Sequence, residues 1–284
     1  MNVEEDGGGV LEKGNTASMV PPGYAEHAPP PDLARQVLCF WTRVADPPSV
    51  AEPPRIHRVL PDGCVDIVIG FSARGSVGGT RSLEVTEAMG VGTMTRPLVL
   101  SGEMPDFYVG VRLRPGYAMS ALGVPASELT DDRVGYSSLS AESESDLDRL
   151  SRLETNEERL NGVIALVRRR LLGAAHVPQS VRAAVQRIAV ANGNLRVASL
   201  ADDIGISRQQ LARQFATHVG IAPKTFARVM RAQAALARAD AARAAYPRAI
   251  DWSAIALDLG YYDQPHFIDD FKALTGMTPS RWVG

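Results

Sequence analysis

LADDIGISRQQLARQFATHVGIAP, residues 200–223, is answered further along the chain by IALDLGYYDQPHFIDDFKALTGMTP, residues 255–279. Leu211 aligns with Phe267, Phe215 with Phe271, Gly220 with Gly276 and Pro223 with Pro279, all 56 positions apart. Ala201 and Ala256 stand 55 apart, as do Gly205 and Gly260, so the second copy carries one extra residue in its turn. Each copy reads as a short helix, a turn opened by a glycine that takes positive φ at little cost, and a second helix crossing the first. That is the anatomy of a helix-turn-helix unit.

The caps locate the second helix of each unit. In the first copy Ser207 followed by Gln210 makes a capping box and starts the helix at about Arg208. In the second copy Asp263 is the cap, and Pro265 is tolerated because the first helical turn has no internal N–H partner to lose. On a helical wheel Leu211 and Phe215 fall together on one side, which leaves Gln209, Arg213 and Ala216 opposite them and Arg208, Ala212 and Thr217 on the flanks. Glutamine pairs bidentately with adenine and arginine with guanine in the major groove, so Gln209 and Arg213 are the expected base readers.

The outward face of the second copy carries Pro265, Asp269, Lys272 and Ala273, with Gln264 and Ile268 on its flanks. Asp269 is repelled by the phosphate backbone, which makes this copy the weaker expected reader, although a carboxylate also accepts from a cytosine amino group. His266 is expected on the protein side, as a packing or capping residue. Between the copies KTFARVMRAQAALARADAARAAY has no internal Gly or Pro and is rich in alanine, so it should form a rigid helix. Taken as roughly 18 residues it spans about 27 Å against a groove repeat of about 34 Å on one face of B-DNA, which would let one chain place both readers in successive major grooves.

These residues resemble the AraC/XylS family of bacterial regulators over about residues 178–283. The most specific matches are Ala256, Gly260, Tyr261, His266-Phe267, Phe271-Lys272, Gly276, Pro279 and Trp282. The resemblance implies two helix-turn-helix units joined by a long helix. It places base-contact positions at Gln209, Ala212 and Arg213 in the first unit, and at Gln264, Pro265, Ile268 and Asp269 in the second. Where this chain has Asp269 the family often has arginine. The front half is similar, more weakly, to an N-terminal domain of a subset of these regulators, through LPDGCVDIVIGF and LRPGYAMSALGVPASELTD. This implies a β-rich ligand-sensing or dimerising domain followed by helices.

The front half read by itself agrees with that division. QVLCFWTR, IHRVLPDGCVDIVIGF, SLEVTEAM, PLVLSG and FYVGVRLRPG read as short strands separated by turn residues, with Pro61-Asp62-Gly63 joining two of them, and they predict a β-sandwich or small barrel. A proline-rich loop, ADPPSVAEPPR, interrupts the set. Leucines 147, 150, 153, 160 and 171, with Ile164 and Val167, recur at helical spacing and predict a helical pair ending in Arg168-Arg169-Arg170, a solvated helix end. The expected layout is α+β: a disordered tail at 1–31, a β-rich sensor-like or dimerisation domain at 32–144, a helical connector at 145–175, and an all-α DNA-binding domain at 176–284.

Charge divides the same way. Residues 1–175 hold 17 basic against 24 acidic side chains, whereas residues 176–284 hold 13 against 8, so only the back half is suited to a polyanion. No apolar run reaches the roughly 18 residues of a membrane span, and the acidic start is unlike a secretory signal, so a cytoplasmic location without membrane contact is expected. Cys39 and Cys64 are too few for a disulfide framework or zinc site and read as buried hydrophobes.

No cofactor and no metal are expected. A catalytic barrel would need a metal held by histidines, and the front half offers only His27, in the tail, and His57. An enzyme tethered to DNA is therefore the minor alternative, and an architectural DNA-binding protein without effector is another. Double-stranded DNA is the expected partner. RNA polymerase, a second copy of the chain and an unidentified small-molecule effector are candidates, with Trp41, Tyr108, Cys64, Arg112 and Arg114 as candidate pocket residues for the last.

Overall fold

The computed structural model describes residues 22–45, 57–77, 80–100, 104–139, 143–172, 174, 176–245 and 250–282. The first part of the expected tail, residues 1–21, and nearly all of the proline-rich loop lie outside the described residues. The end of that tail does not behave as one. Tyr24–His27 forms strand β1, paired antiparallel with β2, Val37–Val44. Its order comes from ladder hydrogen bonds supplied by β2, which a search for apolar periodicity does not detect. Leu33, just past the tail, is buried at 3% exposure.

The remaining strands are β3 (His57–Val59), β4 (Val65–Val77), β5 (Thr80–Val91), β6 (Leu98–Leu100), β7 (Phe107–Leu113) and β8 (Arg133–Gly135). Six of them make an antiparallel sheet in the order β1-β2-β7-β4-β5-β8, and β3 pairs with β6 in a separate ribbon. Pro61-Asp62-Gly63 is thus a corner between two sheets, because the strands on either side of it pair with other partners.

Period-two alternation builds the front core. Val65, Ile67, Ile69 and Phe71 on β4 and Phe107, Val109, Val111 and Leu113 on β7 are buried on one face, in register as Val65–Leu113, Ile67–Val111, Ile69–Val109 and Phe71–Phe107. Helices α1 (Ala118–Leu122) and α3 (Asn156–Leu171) close that face with Ala118, Ala121 and Leu122 and with Val163, Leu166 and Val167. Each large apolar side chain removed from water here contributes about 1.5–3 kcal/mol.

The helical pair, α2 (Ser143–Ser151) and α3, is therefore part of the front core as well as a connector. Thr155 and Glu158 form a reciprocal capping box at the start of α3. At its end the three arginines are engaged with the front domain and not simply solvated. Arg168 pairs with Asp32 at 2.6 Å, Arg169 with Asp146 at 2.6 Å, and Arg170 lies 5.1 Å over the Tyr136 ring.

Beyond it come α4 (Gln179–Val190), α5 (Val197–Ile204), α6 (Arg208–Val219), α7 (Pro223–Ala245), α8 (Trp252–Asp258), α9 (Gln264–Thr275) and α10 (Pro279–Trp282). The long helix α7 carries two separate cores. Phe226, Val229, Met230 and Ala232 pack with α4, α5 and α6, whereas Ala235, Leu236 and Ala239 pack with α8, α9 and Trp282. Its buried alanines let neighbouring helices approach closely. At 23 residues it is longer than its sequence suggests, close to 34 Å at the usual rise.

Candidate nucleic-acid interface

The first unit comprises α5, a turn in which Gly205 takes φ +76°, and α6. Ser207 Oγ accepts the Gln210 N–H at 3.1 Å, so the helix begins at Arg208. Leu211 and Phe215 are fully buried, and the Phe215 ring meets Phe226 of α7 edge-on with centroids 5.9 Å apart. Burying that stripe turns Arg208, Gln209, Ala212 and Arg213 outward, and all four are exposed. Thr217 is half-buried and its hydroxyl donates to the Arg213 carbonyl at 3.1 Å, which weakens its candidacy as a contact. Gln214, between the faces, is joined to Ser180 of α4 at 2.6 Å, a tie that holds α6 across α4.

In the second unit, Asp263 Oδ1 accepts the His266 N–H at 2.9 Å with Pro265 in the first turn of α9. Phe267 and Phe271 are buried in an aromatic cluster with Trp252, Tyr261 and Trp282. Gln264, Pro265, Asp269 and Lys272 are exposed, while Ile268 is half-buried against the second core. His266 is more exposed than its wheel position implies. Its ring leans edge-on against Tyr261, with Nε2 3.8 Å from Asp270 Oδ2. The N–H of Ile206 bonds the Ala201 carbonyl and that of Tyr261 bonds the Ala256 carbonyl in the same manner, so the inserted residue is Tyr262. Its side chain is 97% exposed beside the start of α9.

An ion pair between a half-exposed arginine and a buried carboxylate, not anticipated from sequence, ties the second unit to α7. Asp270, 6% exposed, accepts from Arg228 Nε at 2.9 Å and lies 2.7 Å from its Nη2, which ties α9 to α7. Arg231, one turn on, lies 4.9 Å over the Tyr261 ring and donates to the Gly193 carbonyl at 3.0 Å. Burial pushes the Tyr261 phenol up to about 12. The signal was present in the sequence, since Asp270 shares the inward stripe of Phe267, Phe271 and Leu274, where a carboxylate must find a cation.

On the sheet face opposite the core, Cys39 of β2 and Asp66 of β4 flank Arg112 of β7 in register. Arg112 donates twice to Asp66, each at 3.2 Å, and pairs with Asp62 at 3.3 Å. Burial raises the Asp66 carboxyl against the opposing pull of Arg112. Burial also pushes the Cys39 thiol up to about 12 and the Cys64 thiol well above its ordinary range, and both are free and buried. Of the candidate pocket residues, Trp41 and Tyr108 share this face with Arg112. Arg114 instead donates to the Ala34 carbonyl at 3.0 Å.

Residues 200–284 match the family described as a helix-turn-helix domain, a span that begins in α5 and holds both reading helices. This is an AraC-type DNA-binding domain. Residues 25–135 match a family described as a domain of unknown function (DUF6597), which takes in the six-stranded sheet from β1 to β8. The AraC-type domain makes the chain a DNA-binding transcription regulator.

No curated protein matches the chain in sequence. Among solved structures it is similar to ToxT from Vibrio cholerae. An apo ToxT variant is 12% identical, with 86% of this chain and 96% of that one covered and a TM-score of 0.41. A 1.65 Å structure of ToxT is 11% identical, with 81% and 97% covered and a TM-score of 0.39. A structure of ToxT bound to an unsaturated fatty acid is 8% identical, with 84% and 97% covered and a TM-score of 0.38. Likenesses this distant do not carry a ligand or a mechanism to the present chain. No described helix is long and apolar enough to cross a membrane.

Proposed function

We propose that this regulator reads operator DNA chiefly through α6, with Gln209 and Arg213 on base edges and Arg208, Ala212 and Thr217 alongside them. In this reading α9 is the weaker second reader and acts mainly in positioning. The observation that carries it is the division of α6 into a buried stripe, Leu211 and Phe215, and an exposed polar face, Arg208, Gln209 and Arg213. On α9 the corresponding face holds Asp269 and Pro265 with Lys272 as the cation. A carboxylate there opposes the phosphate attraction that supplies most non-specific affinity.

The front domain is proposed to control DNA binding through a small-molecule effector, through pairing with a second copy, or through both. Trp41, Tyr108 and Arg112 are the candidate effector contacts, and the chain is taken to act without catalysis. Contact with RNA polymerase belongs to the same reading.

Fluorescence anisotropy with duplex DNA from upstream of the chain's own coding region tests the central claim. Binding at least about tenfold tighter than to random duplex at matched salt is the expected result. Equal affinity for the two would overturn it. Thermal-shift screening of metabolites against the full chain tests the effector claim, with a concentration-dependent rise in melting temperature expected.

A further inference from the structure

Both reading helices end on the front domain, at equivalent points of the repeat. The last carbonyls of an α-helix have no partner within it and must be satisfied from outside. At the end of α6 those partners come from another part of the chain. Thr93, fully buried after β5, donates through Oγ1 to the Val219 carbonyl at 2.6 Å. Thr130 donates to the Gly220 carbonyl at 2.7 Å. Gly220 itself takes φ +92° and sits so close to the Ala126 carbonyl that a Cβ would stand 2.9 Å from its oxygen.

Gly276, the repeat partner of Gly220, closes α9 at φ +76° and is faced by Pro97 and the Arg58 guanidinium, 3.1 and 3.7 Å from where its Cβ would be. Arg58 Nε is buried there with no hydrogen-bond partner among the described residues. A guanidinium at a helix C-terminus is also favoured by the helix dipole. On α7, between Ala232 of one core and Ala235 of the other, Gln233 donates to the Pro61 carbonyl at 2.5 Å.

We propose that the front domain clamps the two reading helices at their C-terminal glycines and so fixes the operator spacing the chain accepts, with Thr93 and Thr130 as positioning residues for DNA reading. This rests on the reading that both helices meet DNA. Neither threonine touches DNA in this scheme. They act by holding the axis of α6 while Pro97 and Arg58 hold that of α9. Two modules held rigidly gain avidity only where both sites are reached together, so a rigid clamp makes affinity depend steeply on half-site spacing.

The test uses the full-length chain. A random duplex library selected on the wild-type protein supplies the probe, from which a two-half-site duplex, versions with spacing changed by one and two base pairs, and a single half-site are made. Thr93→Val with Thr130→Val removes both hydroxyls at nearly constant volume. The expected result is a preference for native spacing about tenfold weaker than wild type, with single half-site affinity within about twofold. Thr93→Ser with Thr130→Ser keeps the hydroxyls and should retain the wild-type spacing profile, which also holds the test open if the valine pair unfolds.

An unchanged spacing preference in a folded valine pair overturns the clamp while leaving DNA reading intact. So does an equal loss on the single half-site, which would mean that α6 itself is damaged, and so does loss of the spacing profile in the serine pair. A library that yields no enriched sequence removes the DNA-reading proposal and this inference with it.

Discussion

Arg213 and Gln209, the proposed base readers, owe their outward position to what lies behind them. Leu211 and Phe215 have no exposure at all, so α6 cannot roll about its axis without dragging two large apolar side chains into water at about 1.5–3 kcal/mol each. Arg213→Ala should therefore remove a base contact and nothing else. Preference at one base-pair position is expected to fall by about 1–3 kcal/mol, measured by anisotropy on a set of single-position operator variants. Asp269→Lys should strengthen binding to any duplex and steepen the slope of log affinity against log salt by about 0.9, provided the new ammonium reaches a phosphate.

His218, near the end of α6, is held below its ordinary value of 6.5 because its half-buried ring is costly to charge, and Nδ1 has no hydrogen-bond partner among the described residues. The fold thus favours the neutral ring. Its contribution to stability is full above pH 6.5 and is lost as pH falls from there towards the folded-state value. Melting temperature measured from pH 8 to 5 should decline faster for the wild type than for His218→Gln over the acid part of that range.

At the scale of elements, two glycines of the same unit separate backbone strain from contact. Gly205 and Gly220 both hold positive φ, yet a Cβ on Gly205 would meet nothing within 4 Å among the described residues, whereas one on Gly220 would press on the Ala126 carbonyl. Alanine at either position bears the left-handed penalty of about 1–2 kcal/mol. Only Gly220→Ala should cost more than that, and denaturant melts of the two variants should differ by the energy of the contact with the front domain. The elements themselves were largely legible in the sequence. The caps Ser207 and Asp263, the turn glycines and the alternation on β4 and β7 are local patterns. Strand β1 was not legible, because Tyr24–His27 has no apolar rhythm and owes its order to β2.

At the scale of the molecule, the corner at residues 60–64 joins the six-stranded sheet to α7. Asp62 reaches Arg112 on the sheet, the Pro61 carbonyl accepts from Gln233 on α7, and Gly63 lies against the Phe226 ring. Arg112→Met would take the guanidinium away from two largely covered carboxylates, Asp62 and Asp66. The expected loss is about 3–5 kcal/mol, read by chemical denaturation of the full chain. If the corner couples the sheet to α7, fluorescence and far-UV circular dichroism should still report one coincident transition, shifted to lower denaturant.

The sequence by itself determined the two helix-turn-helix units, their caps, the face each reading helix turns outward and the β-rich character of the front half, because all of these follow from patterns spanning one or two turns or a single strand. Only the tertiary structure decided which strands pair across the corner at Pro61, that Asp270 meets Arg228, and that α6 ends on Thr93 and Thr130. Those last two partners lie 126 and 90 residues from the carbonyls they satisfy. A threonine hydroxyl can bond locally or across the molecule, and its own neighbours in sequence do not distinguish the two; only packing brings it to the open end of a helix.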